Sequence, residues 1–306
     1  MRYLVTGGAG FIGTNIVKEL LKRGHGVRVL DNFSAGDFNR FPERKQTGAE
    51  YIHGDIRDAK SVAEAMQGID GVFHEAAVPR VPYSVEHPDI SNEHNVTGTL
   101  NVLLGAREAR VKRVVFASSS SVYGGCEEGE DLTEDMPKNP KSPYALQKLA
   151  GQEYCRLFSE LYKLETVALC YFNIYGSYMD PNGAYALVIG KFLQQRKNGE
   201  PMTICGDGEY YRDYTHVWDV VAANILAMES TFVGKGEMIN IGNNTAYSVN
   251  NVADLIGGAT VQIPERPGDP RYSRANNTRA KEWLKWQSKI TLEKGIARMK
   301  GLWGIN

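Results

Sequence analysis

A chain of 306 residues with 42% hydrophobic and 23% charged residues has a globular composition, which excludes a disordered or fibrous protein. Its formal net charge of -1 creates no field that would gather nucleic acid or an anionic membrane, so we expect neither as a partner. The four cysteines form no CxxC pair, which argues against a metal site or disulfides and favours the cytoplasm. The N-terminal segment lacks the cationic and apolar regions of an export signal, and we expect no membrane insertion.

Short apolar segments alternate with helical ones through the first half of the chain. Strands are predicted at 3–5, 27–30, 50–53, 71–74, 113–117 and 166–171, and helices at 11–22, 61–66, 96–109 and 144–162. Strands that alternate with helices pack side by side as a parallel sheet with helices on both faces. We therefore expect an α/β fold with a Rossmann-like, doubly wound parallel sheet.

The second half of the chain has a different texture, with clusters of Gly, Pro, Asp and Asn at 178–183, 206–208 and 264–270. A helix at 216–228 and a strand at 238–241 can nevertheless return to the main sheet. We expect a Rossmann domain at 1–172 with a return segment near 214–241. A smaller, interleaved C-terminal domain at 173–306 is expected to bind the substrate.

A glycine turn, TGGAGFIG at 6–13, stands between the first strand and the first helix. Glycines at this spacing let the backbone approach a pyrophosphate, and the N–H groups at the start of the following helix favour its negative charge. Asp31 ends the second strand, where a carboxylate binds the ribose hydroxyls and repels a 2′-phosphate, so NAD is favoured over NADP. Asp55 follows the third strand and is a candidate for the adenine end, or alternatively a turn residue or helix N-cap.

Tyr144 and Lys148 lie one helical turn apart, in a helix that Ser142-Pro143 introduces. A phenol has a reference pKa of about 10, so a nearby cation is needed before it can act as a base at neutral pH. Lys148 and a positively charged nicotinamide ring could supply that stabilisation. Serines 118–121 follow a strand, and one of their hydroxyls is predicted to bond the oxygen that gains or loses a proton.

Eight motifs stand in the order found in the extended short-chain dehydrogenase/reductase family, and the chain resembles its UDP-hexose 4-epimerases. They are TGGAGFIG at 6–13, DNFSAG at 31–36, GDIRD at 54–58, SSSSVYG at 118–124, SPYALQK at 142–148, YFNIYG at 171–176, GDGEYYRDYTHV at 206–217 and RPGD at 266–269. The resemblance runs nearly from end to end. It implies NAD as the cofactor and a UDP-sugar as the substrate.

The same resemblance implies a role for individual residues. The catalytic set is Ser119, Tyr144 and Lys148. The residues around NAD are Gly7, Gly10, Phe11, Ile12, Asp31, Asn32, Ser34, Gly36, Asp55, Ile56, Ala76, Ala77, Asn95, Tyr144, Lys148 and Tyr171. The residues on the substrate side are Ser119, Asn173, Val188, Arg212, Arg266, Asp269 and Ser273, with the arginines on the diphosphate or uridine.

Three positions depart from the family pattern. Pro79 stands where some hexose epimerases carry a lysine near the nicotinamide, Cys170 where many relatives have arginine, and Asn276 where an acidic residue is common. Family members often pair through the helices that correspond to 96–109 and 144–162, so a homodimer is expected.

The resemblance implies 4-epimerisation through a 4-keto sugar, with Tyr144 removing the proton of the 4-hydroxyl and the cofactor carrying the redox change. A UDP-glucuronate 4-epimerase is the main alternative, because similar serine runs occur there. Dehydratases of the family carry an Asp-Glu pair where this chain has Ser120 and Ser121, and related decarboxylases begin with the same oxidation. A non-catalytic NAD-binding regulator is the alternative from a different class.

Ser273 bears on the size of the sugar. By resemblance this position faces the hexose, and relatives restricted to UDP-glucose and UDP-galactose carry tyrosine there. A serine leaves room for an N-acetyl group, so we expect UDP-glucose and UDP-N-acetylglucosamine both to be accepted, unless Ser273 is a loop residue that points elsewhere.

Overall fold

The computed structural model describes residues 1–34, 45–180, 188–265 and 270–305. In this part of the chain, most strands of the first half are separated by helices. The strands are β1 (Arg2–Thr6), β2 (Gly26–Asp31), β3 (Ala49–His53), β4 (Gly71–His74), β5 (Arg113–Ser119), β6 (Glu165–Tyr171), β7 (Ile174–Tyr175), β8 (Met202–Cys205), β9 (Tyr211–Asp213), β10 (Thr215–His216), β11 (Lys235–Ile241), β12 (Ala246–Ser248), β13 (Thr260–Ile263) and β14 (Tyr272–Ser273).

Helices of very different length connect these strands. They are α1 (Phe11–Lys22), α2 (Ala59–Ala65), α3 (Val81–Glu86), α4 (Pro88–Asn92), α5 (Thr99–Glu108), α6 (Pro143–Tyr162), α7 (Val188–Lys197), α8 (Val217–Glu229), α9 (Val249–Ile256), α10 (Thr278–Trp283) and α11 (Leu292–Trp303). A π-helical turn at Glu93–Gly98 leads into α5, and a 3-10 turn at Ser120–Tyr123 follows β5.

Among the described residues, seven parallel strands form the main sheet, in the order β11-β6-β5-β4-β1-β2-β3. The order reverses at β1, which pairs with β2 on one side and with β4 on the other. This arrangement confirms the predicted doubly wound sheet. Ligands of such sheets bind at the carboxyl ends of the strands beside the reversal, which here are the ends of β1 and β4.

Apolar side chains on the two faces of the sheet fill two separate cores. Val29, Phe73 and Val115 belong to the core that also contains side chains of α1 and α8. Their neighbours along the strands, such as Leu30 and Phe116, belong to the core that contains side chains of α2, α5 and α6. Because successive strand residues point to opposite faces, one sheet supplies both cores and fixes the helices on either side.

The second half of the chain forms smaller sheets, β12-β9-β14, β13-β8 and β10-β7. Helices α7, α9 and α11 contribute to a third apolar core there. In the middle of these elements α8 packs on the main sheet, and β11 pairs with β6 as its outer strand. The C-terminal elements therefore interleave with the main sheet, as predicted.

Several boundaries differ from the prediction. The predicted helix at 96–109 begins earlier, with the π-helical turn, and α5 ends at Glu108. The strand predicted at 113–117 continues to Ser119, which places that serine on the sheet edge itself. No helix in the described part of the chain has the length and apolarity that a membrane crossing requires.

Candidate functional site

The glycine turn between β1 and α1 has a backbone that other residues could not adopt. Gly7 has φ +69°, and a Cβ there would lie 2.7 Å from the backbone nitrogen of Ala76. A Cβ at Gly13 would collide with the carbonyl oxygen of Gly7. Gly10 is the N-cap of α1 and has no side chain to cover the first N–H groups of that helix. The turn therefore forms a cradle of the kind that fits a pyrophosphate.

Asp31 fastens this turn to the end of β2. Its carboxylate accepts the backbone N–H of Ala9 at 3.0 Å and of Phe33 at 2.7 Å. Asn32 donates to Asp55 across the ends of β2 and β3 at 2.9 Å, and its own oxygen accepts the N–H of Ser34. The predicted ribose and adenine residues are thus neighbours on one edge of the sheet.

Asp55 is ionised in this arrangement. Burial alone would raise its pKa, but hydrogen bonds from Arg57 and Asn32 outweigh burial and hold the pKa of Asp55 well below its usual range. The Arg57 guanidinium lies 2.9 Å from the carboxylate. The N-cap of α2 is Asp58, so Asp55 does not have the helix-cap role that its position alone allowed.

Ser119, Tyr144 and Lys148 come together where β5 ends and α6 begins. Ser142 caps α6 by accepting the N–H of Ala145, which fixes the first turn of that helix, where Tyr144 lies. Tyr144 is buried, and its phenol lies close enough to the Ser119 hydroxyl for that hydroxyl to lower the phenol's pKa. Lys148, one turn further along, is buried and donates from Nζ to the carbonyl of Ala117 at 2.8 Å.

Burial shifts the pKa values of Tyr144 and Lys148 in the direction that favours their neutral forms. Burial raises the pKa of Tyr144 to about 12, although the Ser119 hydroxyl opposes the change. Burial also lowers the pKa of Lys148 to about 8. A base at neutral pH would need a much lower pKa for Tyr144, so additional positive charge must arrive from a ligand.

The loop after β4 is held by a buried asparagine. The amide of Asn95 accepts the N–H of Val78 at 2.8 Å and donates to the Val78 carbonyl at 3.1 Å and to Gln147 at 2.8 Å. The N–H of Ala76 bonds to the Thr6 hydroxyl. Asn95 therefore acts on the cofactor region by fixing the loop that contains Ala76 and Ala77.

Glu75 is a polar residue at the carboxyl edge of the main sheet that was not predicted from the sequence. Tyr171, predicted near NAD, donates its hydroxyl to Glu75 at 2.9 Å, and Asn224 of α8 donates to that hydroxyl at 2.7 Å. Burial raises the pKa of Glu75 to about 7, although Tyr171 and Lys148 act in the opposite direction. Glu75 directly follows an apolar strand, as Asp31 and Asp55 nearly do, and this signal could have identified it.

The substrate-side residues surround the small sheet of the second half. Arg212 and Ser273 are register partners on β9 and β14. Ser273 is buried, and its neighbour Tyr272 bridges to Cys126, in the loop that follows the serine run. Asn173 has φ +34° and donates to the carbonyl of Asp213 at 2.9 Å.

The other predicted residues have simpler positions. Phe11 and Ile12 are the first residues of α1, Ile56 is buried in the core beneath α5, and Val188 begins α7. Gly36, Arg266 and Asp269 lie outside the described residues. Within the described ranges no group of three or more His, Cys, Asp or Glu side chains could hold a metal ion.

The fold and the site together define a dinucleotide-binding α/β protein with a serine, tyrosine and lysine set. The model of the NAD dependent epimerase/dehydratase family matches residues 3–242. A UDP-glucose 4-epimerase of Mycolicibacterium smegmatis is 38% identical over 309 residues, which cover 97% of each chain. The chain therefore belongs to the NAD dependent epimerase/dehydratase family.

Two solved structures are similar over almost the whole chain. The UDP-glucose 4-epimerase of Thermotoga maritima, solved with UDP-glucose, is 37% identical, with a TM-score of 0.90 and coverage of 97% of this chain and 96% of the other. The UDP-N-acetylglucosamine 4-epimerase of Methanobrevibacter ruminantium, solved with UDP-N-acetylmuramic acid, is 33% identical, with a TM-score of 0.90 and coverage of 98% of both chains.

Proposed function

We propose that this protein is an NAD-dependent 4-epimerase of UDP-hexoses and UDP-N-acetylhexosamines. The observation that carries the proposal is the grouping of Ser119, Tyr144 and Lys148 on the sheet edge that also holds the glycine cradle. The similarity to 4-epimerases along nearly the entire chain supports the same reaction.

The cofactor site fits NAD on the evidence of the chain itself. The glycine turn would hold the pyrophosphate, and the carboxylate of Asp31 would bind the ribose hydroxyls. When bound, NAD supplies the oxidation and reduction of the sugar. Lys148 and Tyr171 complete the proposed cofactor surface, and Asn95 holds the loop after β4.

Side chains of the protein are proposed to remove the proton and to hold the sugar nucleotide in position. Tyr144 takes the proton from the sugar 4-hydroxyl, and Ser119, which lies beside the Tyr144 phenol, would hydrogen-bond the same sugar oxygen. Loss of that proton and of a hydride from carbon 4, which NAD would accept and later return, leaves a 4-keto sugar that must turn before it is reduced on its opposite face. Asn173, Arg212 and Arg266 are proposed to anchor the UDP portion while the sugar turns, with Asp269 also on the substrate side.

Dehydration requires chemistry that this site does not offer. A 4,6-dehydratase must remove the proton at carbon 5 and expel water from carbon 6, for which its acid and base are a carboxyl pair. Ser120 and Ser121 occupy the corresponding positions here, in the 3-10 turn after β5. Serine hydroxyls cannot perform both proton transfers. UDP-glucuronate differs from UDP-glucose only at carbon 6, and it remains the alternative substrate.

Three further features belong to the proposal. We place the domain boundary at 172/173, with the segment near 214–241 returning to the first domain.

A homodimer through α5 and α6 is supported by Leu146 and Leu161 on α6, which are 58% and 65% exposed. All four cysteines are free thiols, in keeping with the reducing cytoplasm as the proposed compartment.

The test is direct turnover. The purified protein with NAD is incubated separately with UDP-glucose, UDP-N-acetylglucosamine and UDP-glucuronate, and the products are resolved by chromatography. We expect 4-epimers of the first two sugars, and a fall in rate of at least a hundredfold for Tyr144→Phe with NAD still bound. An unsaturated or decarboxylated product, or no conversion of any sugar, would contradict the proposal.

A further inference from the structure

Glu75 lies beside the catalytic set in the main sheet. It directly follows β4, whose last residue His74 is the register partner of Phe116 in β5. The next residue of β5, Ala117, accepts the ammonium of Lys148 at 2.8 Å. On the far side, Tyr171 is the register partner of Ser119 and donates to Glu75.

The hydrogen-bond chain that ends at Glu75 has a fixed direction. The amide nitrogen of Asn224 donates to the carbonyl of Val220 at 3.0 Å, and a carbonyl can only accept. The same nitrogen donates to the Tyr171 hydroxyl, so that hydroxyl must direct its own proton to Glu75. This series of hydrogen bonds therefore presents a donor to the carboxyl group, which favours the carboxylate form of Glu75 against the burial that raises its pKa to about 7.

The other ionisable groups around Glu75 belong to β4, β6 and α6. His74 is buried and points to the opposite face of the sheet, and burial lowers its pKa to about 3, which leaves it neutral. Burial raises the pKa of the Cys155 thiol to about 12 and that of Cys170 well above its ordinary value, so both thiols are neutral as well. Asn224, the contact from α8, carries no charge. Among the residues that the structure describes, Lys148 is thus the cation that acts on Glu75.

We propose that Glu75 is a positioning residue of this site, whose negative charge keeps Lys148 protonated and opposes early loss of the proton from Tyr144. The inference rests on the proposed function for its kinetic consequence. A carboxylate near neutral groups raises the energy of a second anion and lowers that of a cation. In keeping with this, Glu75 raises the pKa of both Lys148 and Tyr144, against burial at Lys148 and in the same direction as burial at Tyr144.

The substitution Glu75→Gln removes the negative charge of the side chain but keeps its shape, so it distinguishes an electrostatic role of Glu75 from a structural one. Glutamine keeps an oxygen that accepts from Tyr171, so a purely structural role of Glu75 would leave the pH dependence unchanged. If charge is the role, the direct repulsion between Glu75 and the Tyr144 phenolate is lost, so the pKa of Tyr144 falls and the rising limb of kcat/KM against pH moves to lower pH by on the order of one unit. Tyr171→Phe removes the donor that favours the carboxylate, and it should shift the limb in the same direction. Glu64→Gln, at an exposed position of α2, is the matched control, for which we expect no shift.

A second measurement needs no substrate. The alkaline absorbance change of the NAD-loaded protein is titrated, and the part that belongs to Tyr144 is the part that Tyr144→Phe abolishes. We expect this part to titrate at lower pH in Glu75→Gln than in the unchanged protein. A folded Glu75→Gln protein with both curves unmoved would overturn the inference. A shifted absorbance curve in a protein that converts no UDP-sugar would support it and contradict the proposed function instead.

Discussion

Asp31 carries a local structural role and a proposed cofactor role at the same time. Its two oxygens accept N–H groups from Ala9 and Phe33, so the carboxylate is held close to the glycine turn. A phosphate on the ribose would meet this negative charge directly. The choice between NAD and NADP therefore depends on the charge of one side chain whose position the backbone fixes.

We expect the protein to bind NAD at least tenfold more tightly than NADP, and Asp31→Asn to reduce this preference. Asparagine keeps one oxygen for the backbone N–H groups but has no charge to repel the phosphate; tenfold corresponds to about 1.4 kcal/mol. Calorimetry with both cofactors measures the two dissociation constants. Equal constants for the unchanged protein would show that Asp31 does not select the cofactor.

Ser273 is the residue at which the proposed sugar range can be tested. It is buried on β14 beside Arg212, and the neighbouring bridge of Tyr272 to Cys126 brings this strand towards the serine run. We expect Ser273→Tyr to depress epimerisation of UDP-N-acetylglucosamine by roughly 5- to 150-fold more than that of UDP-glucose, because overpacking costs typically 1–3 kcal/mol.

The comparison uses initial rates on both sugars, with Ser273→Ala as a matched control that adds no volume. Equal losses on the two substrates would indicate general damage to the fold. Unchanged rates on both would remove Ser273 from the sugar site.

At the scale of elements, Arg113 joins β5 to the end of α8. The guanidinium is buried and donates to the carbonyls of Ala227, Met228 and Ser230, which are among the last carbonyls of that helix and its cap. It also forms an ion pair with Glu165 at 2.6 Å. A positive charge at a helix C-terminus satisfies acceptors that have no partner within the helix.

We expect Arg113→Lys to lower the free energy of unfolding by about 2–4 kcal/mol, since an ammonium cannot reach this set of carbonyls in the geometry of a guanidinium. Urea unfolding followed by circular dichroism measures the change. Arg156→Lys, in exposed ion pairs with Glu153 and Glu160, is the control, with an expected effect under about 0.5 kcal/mol. Similar effects of the two substitutions would mean that α8 does not depend on Arg113.

Helices and strands with a regular repeat of apolar residues could be predicted from the sequence, whereas very short or irregular helices could not. Helix α1 has the predicted limits, because a glycine turn precedes it and an apolar face runs through it. Helices α3 and α4 were missed, since each is only a few residues long and begins with a proline-containing turn. The π-helical turn before α5 has no sequence signal of its own, and it depends on how Asn95 packs against the loop after β4.

Some residues of the candidate site could likewise be predicted from the sequence, and others could not. Gly7, Asp31, Tyr144 and Lys148 could be placed from the sequence, because each lies at a fixed offset from a strand end or a helix start. The partnership of Glu75 with Tyr171 could not be placed, because the two residues are far apart in the chain and meet only once β4, β5 and β6 lie side by side. The raised pKa of Tyr144 likewise depends on burial, which a sequence does not state.

At the scale of the whole molecule, the proposed dimer can be separated from the fold of one chain. Leu146 and Leu161 are exposed on α6, so glutamates at both positions should leave the monomer folded and reduce dimerisation. Analytical ultracentrifugation measures the mass in solution. Phe232→Glu is the control, since Phe232 is 70% exposed and lies outside both helices. A dimer that survives both glutamates would place the interface elsewhere.

The position of β11 also affects how the chain can fold while it is being synthesised. The glycine turn, Asp31, Tyr144 and Lys148 all leave the ribosome before β6 ends at Tyr171, but β11 ends only at Ile241. At roughly 5–20 residues per second, β6 waits about 4–14 s for the strand that covers its outer edge. An unpaired, apolar edge is a template for aggregation. Nascent chains of this protein should therefore depend on chaperones most strongly in this interval, after the cofactor site is complete in sequence and before the sheet is closed.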